Sequence, residues 1–132
     1  MPYFITNIED ATVENRNYRK ELFTGKNSQL VLMSLEPGEE IGMEVHELDQ
    51  FIRFEAGTGK VVLDGKEHDV HDGMAVVIPA GTKHNVVNTS SQEALKLYSI
   101  YSPPEHKVGT LHKTKQEADA DADHHFDGRT SA

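Results

Sequence analysis

The sequence contains no cysteine, which excludes disulfide scaffolds, thiolate zinc sites and cysteine nucleophiles. No apolar run approaches the roughly 20 residues that a membrane-spanning helix needs, so we do not expect an integral membrane protein or a membrane partner. The N-terminal segment MPYFITNIED has neither a basic start nor an apolar core. A secretory signal peptide is therefore not expected, and the predicted location is the cytoplasm.

Basic residues are also scarce. The chain has 13 lysines and arginines against 22 aspartates and glutamates, with a formal net charge of -9. Proteins that bind a phosphate backbone usually carry a cluster of Lys and Arg, and this sequence has no such cluster. Nucleic acid is therefore not an expected partner. The length of 132 residues predicts one domain with a single hydrophobic core.

Strand-like segments fill the middle of the chain. Apolar, β-branched and aromatic runs recur about every 8–12 residues and end in turn-forming residues, a pattern typical of an all-β sandwich or barrel. Residues 60–70 predict a hairpin, because Asp64-Gly65 suits a tight type I′ turn. The other predicted strands are QLVLMSL (29–35), FIRFEA (51–56), AVVIPAG (75–81), HNVVNT (84–89) and ALKLYSIYS (94–102).

The two ends of the chain are expected to differ from this central region, 29–113. Residues 1–28 predict one or two strands, near Tyr3 to Ile5 and Glu21 to Thr24, that pack on the barrel or on a partner subunit. In residues 114–132, Thr114 and Glu117 have the spacing of a capping box, which predicts a short helix. The acidic run ADADAD and the pair His124-His125 follow. We expect a mobile tail there or an arm on a partner, with the two histidines solvated or binding metal only weakly and adventitiously.

The first of two glycine-framed motifs runs from Gly38 through Glu44, His46 and Gln50 to Gly57. If the segment around 42–47 is a strand, Glu44 and His46 point to the same face because they are two residues apart. Gln50 would open the next strand. The glycines of the motif serve tight turns with positive φ.

The second motif comprises Gly73, Pro79, Gly81, His84 and Asn88. The turn at Pro79 to Gly81 would deliver His84 to the start of the following strand. Side chains from three strands can then converge inside a small barrel. Together with the first motif, they offer one carboxylate, two imidazoles and one amide oxygen, a mixed nitrogen and oxygen set that suits a metal ion.

At these residues the chain resembles the cupin superfamily, whose pattern is G-x5-H-x-H-x3/4-E-x6-G followed by G-x5-P-x-G-x2-H-x3-N. The second motif matches at every fixed position, and the first matches in spacing throughout. The resemblance covers roughly residues 30–110, and within the superfamily the chain looks like the small, single-domain, mannose-6-phosphate-isomerase-like cupins. It implies an antiparallel double-stranded β-helix, or jelly-roll barrel, followed here by the short C-terminal helix and tail.

The first motif departs from the family at two positions. Glu44 stands where the pattern has its first histidine, and Gln50 stands where it has glutamate. The implied ligand set is therefore Glu44, His46, Gln50 and His84, which exchanges one nitrogen for an oxygen. Such a harder site favours Mn, Fe, Ni or Zn over Cu(I).

Each candidate ligand has a second interpretation. His46 and His84 can be metal ligands or barrel-lining histidines held by hydrogen bonds. Gln50 can be a ligand, or an amide that holds Glu44 or a water. Glu44 can bind the metal, act as a general acid and base beside it, or be a buried carboxylate paired with a histidine. His106 and His112 are expected at the surface, with a cap over the barrel mouth as the alternative for one of them.

The expected function follows from a metal in a small barrel. The leading hypothesis is a metal-dependent isomerase or lyase that acts on a small oxygenated compound such as a sugar, uronate or keto acid. The alternatives are a non-haem metal dioxygenase and a non-catalytic barrel that binds or senses a small molecule. Because small barrels protect edge strands by closing or by dimerising, a homodimer is also expected.

Overall fold

The structure is a computed structural model that describes residues 3–131. Most of the regular structure in this range is β-strand, with short helices near both ends. No helix in residues 3–131 has the length and apolar character needed to cross a bilayer. The elements in chain order are α1 (Ile8–Glu14), β1 (Arg19–Thr24), β2 (Gln29–Leu35), β3 (Asp49–Ala56), β4 (Thr58–Leu63), β5 (Lys66–His71), β6 (Ala75–Ile78), β7 (His84–Asn88), β8 (Leu95–Ser102), β9 (Leu111–His112) and α2 (Lys115–Ala120).

The strands form two antiparallel sheets. One has six strands in the order β6-β3-β8-β2-β1-β9, and the other has three in the order β5-β4-β7. One cluster of buried apolar side chains joins the two sheets; it includes Met33, Phe54 and Leu97 from the larger sheet and Val61 and Val86 from the smaller. The prediction of an all-β jelly-roll barrel with a short C-terminal helix is confirmed.

Alternation along the strands places the core. In β8, Leu95, Leu97 and Tyr101 are buried and alternate with more exposed residues. Leu97 lies opposite Met33 of β2 and Phe54 of β3, so three apolar side chains form one layer across the sheet. The predicted hairpin also forms, with positive φ of 48° at Asp64 and 83° at Gly65, as a type I′ turn requires.

Two motif residues have structural roles. Gly57 has a φ of 94°, and a Cβ added there would lie 2.5 Å from the carbonyl oxygen of Ala94. Asn88 is buried, and its Nδ2 donates to the carbonyl oxygens of Leu35 (3.1 Å), Glu36 (3.1 Å) and Glu93 (2.8 Å). Asn88 therefore connects the end of β2 to the loop before β8, and it supplies a donor to backbone carbonyls that need one.

The N-terminal region differs from the expectation. Residues 3–5 do not form a strand, and the helix α1 follows them. Asn7 caps this helix, because its Oδ1 accepts a hydrogen bond from the Asp10 N–H at 3.0 Å. Phe4 stacks on Phe23 of β1, with ring centroids 5.9 Å apart. The second expected strand does form, as the C-terminal part of β1.

The C-terminal helix begins where the capping box predicted. The Thr114 Oγ1 accepts from the Glu117 N–H at 3.1 Å, and the Glu117 carboxylate accepts from the Lys113 N–H, also at 3.1 Å. Beyond α2, we call residues 121–131 the C-terminal segment. The structure lays this segment on the barrel of its own chain, where His125 forms an isolated β-bridge with His106.

Candidate metal centre

Three of the predicted ligands meet at one end of the barrel. Single ligand atoms of Glu44, His46 and His84 all lie within 4.8 Å of one another. Glu44 and His84 also form an isolated antiparallel bridge, with backbone N···O distances of 2.8 and 2.9 Å. The Gly81 N–H donates to the His46 carbonyl at 2.8 Å, so backbone bonds join the two motifs and position the three side chains.

The buried His84 has one ring nitrogen left for a metal. Its Nδ1 lies 3.0 Å from the Thr82 carbonyl oxygen. A carbonyl oxygen only accepts, so this contact places the proton on Nδ1 and leaves a lone pair on Nε2. His84 Nε2 is buried and has no hydrogen-bond partner in residues 3–131. An unpartnered buried imidazole nitrogen beside a carboxylate and a second imidazole fits a metal ligand.

A carboxylate outside both motifs contacts His46. His46 Nδ1 lies 3.4 Å from Glu105 Oε2, and His46 Nε2 lies 3.8 Å from Glu44 Oε2. Its ring centroid is 5.1 Å from that of His84. The two nitrogens of His46 thus face opposite ways, one toward Glu105 and one toward the candidate centre. Metal-binding histidines are commonly oriented by such a carboxylate on the far nitrogen.

Gln50 is buried at the start of β3. Its Nε2 donates to Ser99 Oγ at 3.1 Å, while its Oε1 is buried without a hydrogen-bond partner in the described chain. Its cross-strand neighbour Tyr101 contacts the edge of the His46 ring at a centroid distance of 6.2 Å. Gln50 therefore belongs to the same end of the barrel, with an acceptor that a metal or a bound water would satisfy, and its role as a ligand stays a prediction.

Burial shifts the proton affinities of the ligands in opposite directions. Burial raises the pKa of Glu44, while Arg19 and His84 act against this increase. Burial lowers the pKa of His46, although the neighbouring Glu105 opposes the decrease. The lowered pKa favours the neutral His46 imidazole, which offers one nitrogen lone pair to a metal ion. Fewer protons then compete with a metal ion at this position.

Glu44 and His46 line a cavity of about 760 Å³. Loop residues after β8, including Pro104 and Glu105, form part of its wall. The C-terminal segment contributes His124, His125 and Phe126 on another side. A small molecule in this cavity would reach the ligand atoms directly, and the cavity volume lies in the range of known ligand sites.

The expectation that His106 and His112 lie at the surface is wrong, because both are buried. His112 lies in β9, where its Nδ1 is 3.2 Å from an Arg19 guanidinium nitrogen and its Nε2 is 2.9 Å from Asp121 Oδ2. His106 Nδ1 lies 2.9 Å from His124 Nδ1. The proline-rich sequence before these residues resembles an exposed loop, but contacts with β1 and with the C-terminal segment bury both rings.

Sequence reasoning missed Glu105 and His125 as neighbours of the centre. Both lie outside the two glycine-framed motifs, and nothing in their local sequence marks them. His125 Nδ1 lies 3.0 Å from Glu105 Oε1, so the carboxylate that contacts His46 also contacts the C-terminal segment. Only the return of the chain over the barrel brings these groups together.

The fold and the site define a class: a small antiparallel β-barrel with a Glu/His/His group that could hold a metal ion. The sequence profile of the Cupin domain matches residues 31–101, more than half of the chain. The protein therefore belongs to the cupin family, as the two motifs predicted.

Similar proteins occur in bacteria and in a virus. The chain is 50% identical over 128 residues to the uncharacterized protein YrkC of Bacillus subtilis (strain 168), covering 91% of this chain and 68% of YrkC. It is 44% identical over 113 residues to the uncharacterized protein L612 of Acanthamoeba polyphaga mimivirus, covering 82% and 70% of the two chains. The crystal structure of BH2720 from Bacillus halodurans is similar with a TM-score of 0.87 and 49% identity, over 89% of this chain and 94% of that one.

Proposed function

We propose that this cupin is a metal-dependent isomerase or lyase that acts on a small oxygenated compound such as a sugar, a uronate or a keto acid. The observation that carries the proposal is the meeting of Glu44, His46 and His84 within 4.8 Å beside a cavity of about 760 Å³. Gln50 completes the proposed ligand set. One divalent ion of Mn, Fe, Ni or Zn suits these nitrogen and oxygen donors.

The bound ion would supply Lewis acidity toward a carbonyl or hydroxyl oxygen of the substrate. His46 and His84 are fixed by Glu105 and by the Thr82 carbonyl, so they serve as rigid donors. Because these two donors do not move, the ion would stay in one position relative to a substrate bound in the cavity.

Glu44 is the proposed acid and base. Its side chain is 37% exposed, whereas that of His46 is only 13% exposed, so Glu44 has the freer carboxylate. The raised pKa of Glu44 brings it closer to the range in which a carboxylate both takes and returns a proton. Glu44 Oε2 would remove the proton beside a substrate carbonyl. Return of this proton to a different atom of the substrate gives isomerisation. Departure of a leaving group from the neighbouring carbon gives elimination.

The first experiment is elemental analysis of the untagged protein as purified. One equivalent of Mn, Ni or Zn, lost in His46→Ala and His84→Ala and kept in the exposed-histidine control His68→Ala, supports the proposal. One equivalent of Fe instead favours the dioxygenase, which oxygen consumption would then test. No metal after incubation with all four ions would refute the metal site and leave the non-catalytic binding barrel.

The second experiment separates the roles of Glu44 and Gln50. Metal-loaded protein is incubated with candidate sugars, uronates and keto acids in D2O, and exchange beside the carbonyl is followed by NMR. Glu44→Gln should abolish exchange, whereas the control Glu67→Gln should retain exchange and metal binding. If Glu44→Gln also loses the metal, Glu44 is a ligand as well as the acid and base; if it keeps the metal, Glu44 acts beside the ion. Gln50→Glu should raise metal affinity, and an unchanged affinity would place Gln50 outside the ligand set.

We also propose partners and a location for the protein. It forms a homodimer, binds a small molecule, and binds neither nucleic acid nor membranes. Its location is the cytoplasm. Sedimentation velocity of the untagged chain tests the dimer, and a monomer at micromolar concentration would refute it. Fractionation of the source cells tests the location.

A further inference from the structure

The C-terminal segment pairs with the loop that follows β8. The Phe126 N–H donates to the Glu105 carbonyl at 2.8 Å, and the Lys107 N–H donates to the His124 carbonyl at 2.8 Å. Near its other end, the Ser131 N–H donates to the Thr24 carbonyl at 2.8 Å. Backbone bonds at both ends thus hold this segment across the mouth of the barrel.

One carboxylate links this segment to a predicted metal ligand. Glu105 Oε1 lies 3.0 Å from His125 Nδ1, and Glu105 Oε2 lies 3.4 Å from His46 Nδ1. The side chain of His125 is 70% exposed and that of Glu105 is 15% exposed. The chain His125–Glu105–His46 therefore runs from the protein surface to the candidate metal centre.

The surroundings of Glu105 leave its carboxylate little freedom. Its backbone N–H donates to Gln29 Oε1 at 3.2 Å, and its carbonyl accepts from Phe126. With the backbone held, the two histidines on either side determine where the carboxylate oxygens lie. Removing His125 releases one oxygen, and Glu105 then holds His46 less firmly.

We infer that the C-terminal segment is part of the metal centre: through His125 and Glu105 it holds the His46 imidazole in its metal-binding orientation, so metal binding and docking of the segment favour each other. This inference rests on the metal site of the proposed function and needs no particular reaction. His125 and Glu105 are positioning residues, because each acts on the ion through His46. Linkage requires the two effects to be equal in size.

The first test measures Mn²⁺ affinity from the loss of the free-ion EPR signal. Glu105→Gln should weaken binding about tenfold or more, as expected for a carboxylate behind a ligating histidine. His125→Ala should weaken it about twofold to fivefold, because the side chain of His125 is 70% exposed and exposed contacts contribute little. The matched controls Glu67→Gln and His68→Ala, both exposed on β5, should bind as the unaltered chain does. Equal affinities for all variants would refute the inference.

The second test measures hydrogen exchange at the amides of Lys107 and Phe126. In the unaltered chain Mn²⁺ should slow exchange at both, and in Glu105→Gln this additional protection should largely disappear. A chain lacking residues 122–132 should lose Mn²⁺ affinity by the same factor by which Mn²⁺ protects Phe126 in the full chain. Unequal factors, or metal protection that persists in Glu105→Gln, would overturn the coupling.

Failure of the metal site gives a different result from failure of the coupling. If Mn²⁺ binds His46→Ala and His84→Ala as well as it binds the unaltered chain, the proposed site is wrong and the inference falls with it. If these variants lose Mn²⁺ but Glu105→Gln and the shortened chain do not, the site stands and the coupling alone is refuted. His125→Ala supplies the answer if the shortened chain does not fold.

Discussion

Acid should destabilise the metal-free fold through His106. This imidazole is buried, its ring packs 5.2 Å from that of Tyr101, and its Nε2 has no hydrogen-bond partner in residues 3–131. Burial, followed by the charge of Arg19, lowers the pKa of His106 from 6.5 to about 2. The folded chain therefore keeps His106 neutral at a pH where the unfolded chain protonates it.

The sign and size follow from proton linkage. Below about pH 6.5 the unfolded state binds one more proton at this site than the folded state, so stability falls as the pH falls. Between about pH 7 and pH 5, His106 alone should reduce the free energy of unfolding by about 2 kcal/mol. The loss continues toward the folded-state pKa. The lowered pKa values of His46 and His124 act in the same direction.

Urea unfolding of chelator-treated protein at these two pH values measures the effect. In His106→Gln, the pH-dependent loss should shrink by about 2 kcal/mol, whatever the variant costs in packing at both pH values. The exposed control His68→Gln should keep the full loss. Equal losses for the unaltered chain and His106→Gln would refute the assignment of His106 as a buried neutral group.

Three further predictions concern the motifs and the metal. Gly57→Ala should lower the free energy of unfolding by about 3 kcal/mol or more, because the strain of a positive φ adds to the clash with the Ala94 carbonyl. Gly38→Ala should lower it by only about 1–2 kcal/mol, because its φ is 77° but no atom lies within 4 Å of the added Cβ. Equal losses in urea unfolding would contradict this. Asn88→Ala should cost at least about 2 kcal/mol by leaving three carbonyls without their donor, and thermal unfolding at the unaltered midpoint would refute it. Metal at about 100 times its Kd should raise the free energy of unfolding by about 2.7 kcal/mol. The Tm should rise accordingly in the unaltered chain and should not rise in His84→Ala.

Local sequence was sufficient wherever short-range rules decide structure. β2 spans the predicted residues 29–35, because an uninterrupted apolar run ends there at a turn signal. The fixed spacing of the two motifs also predicted that Glu44, His46 and His84 would come together. Each motif places its side chains within a few residues of a turn, so the geometry of the turns largely determines where these side chains lie.

Contacts between distant parts of the chain were beyond such reasoning. Residues 3–5 have strand-like composition but lack a strand partner, and the helix after them begins at the N-cap Asn7, a single residue that gives only a weak signal in the sequence. The burial of His106 and the position of Glu105 depend on the C-terminal segment, whose acidic, low-complexity sequence is typical of solvated chain. Its docking combines backbone bonds, which any sequence can make, with side-chain contacts to distant residues, such as His112 to Asp121 and Glu105 to His125.

The central position of β8 has a consequence for synthesis of the chain. β8 lies between β2 and β3 and pairs with both along nearly its whole length. Until residues 95–102 have left the ribosome, the new chain carries two apolar strands that each lack a neighbour. Unpaired strand edges are prone to aggregate. The interval before β8 emerges is therefore the one in which the new chain is open to aggregation through these two edges, and the emergence of β8 closes both at once.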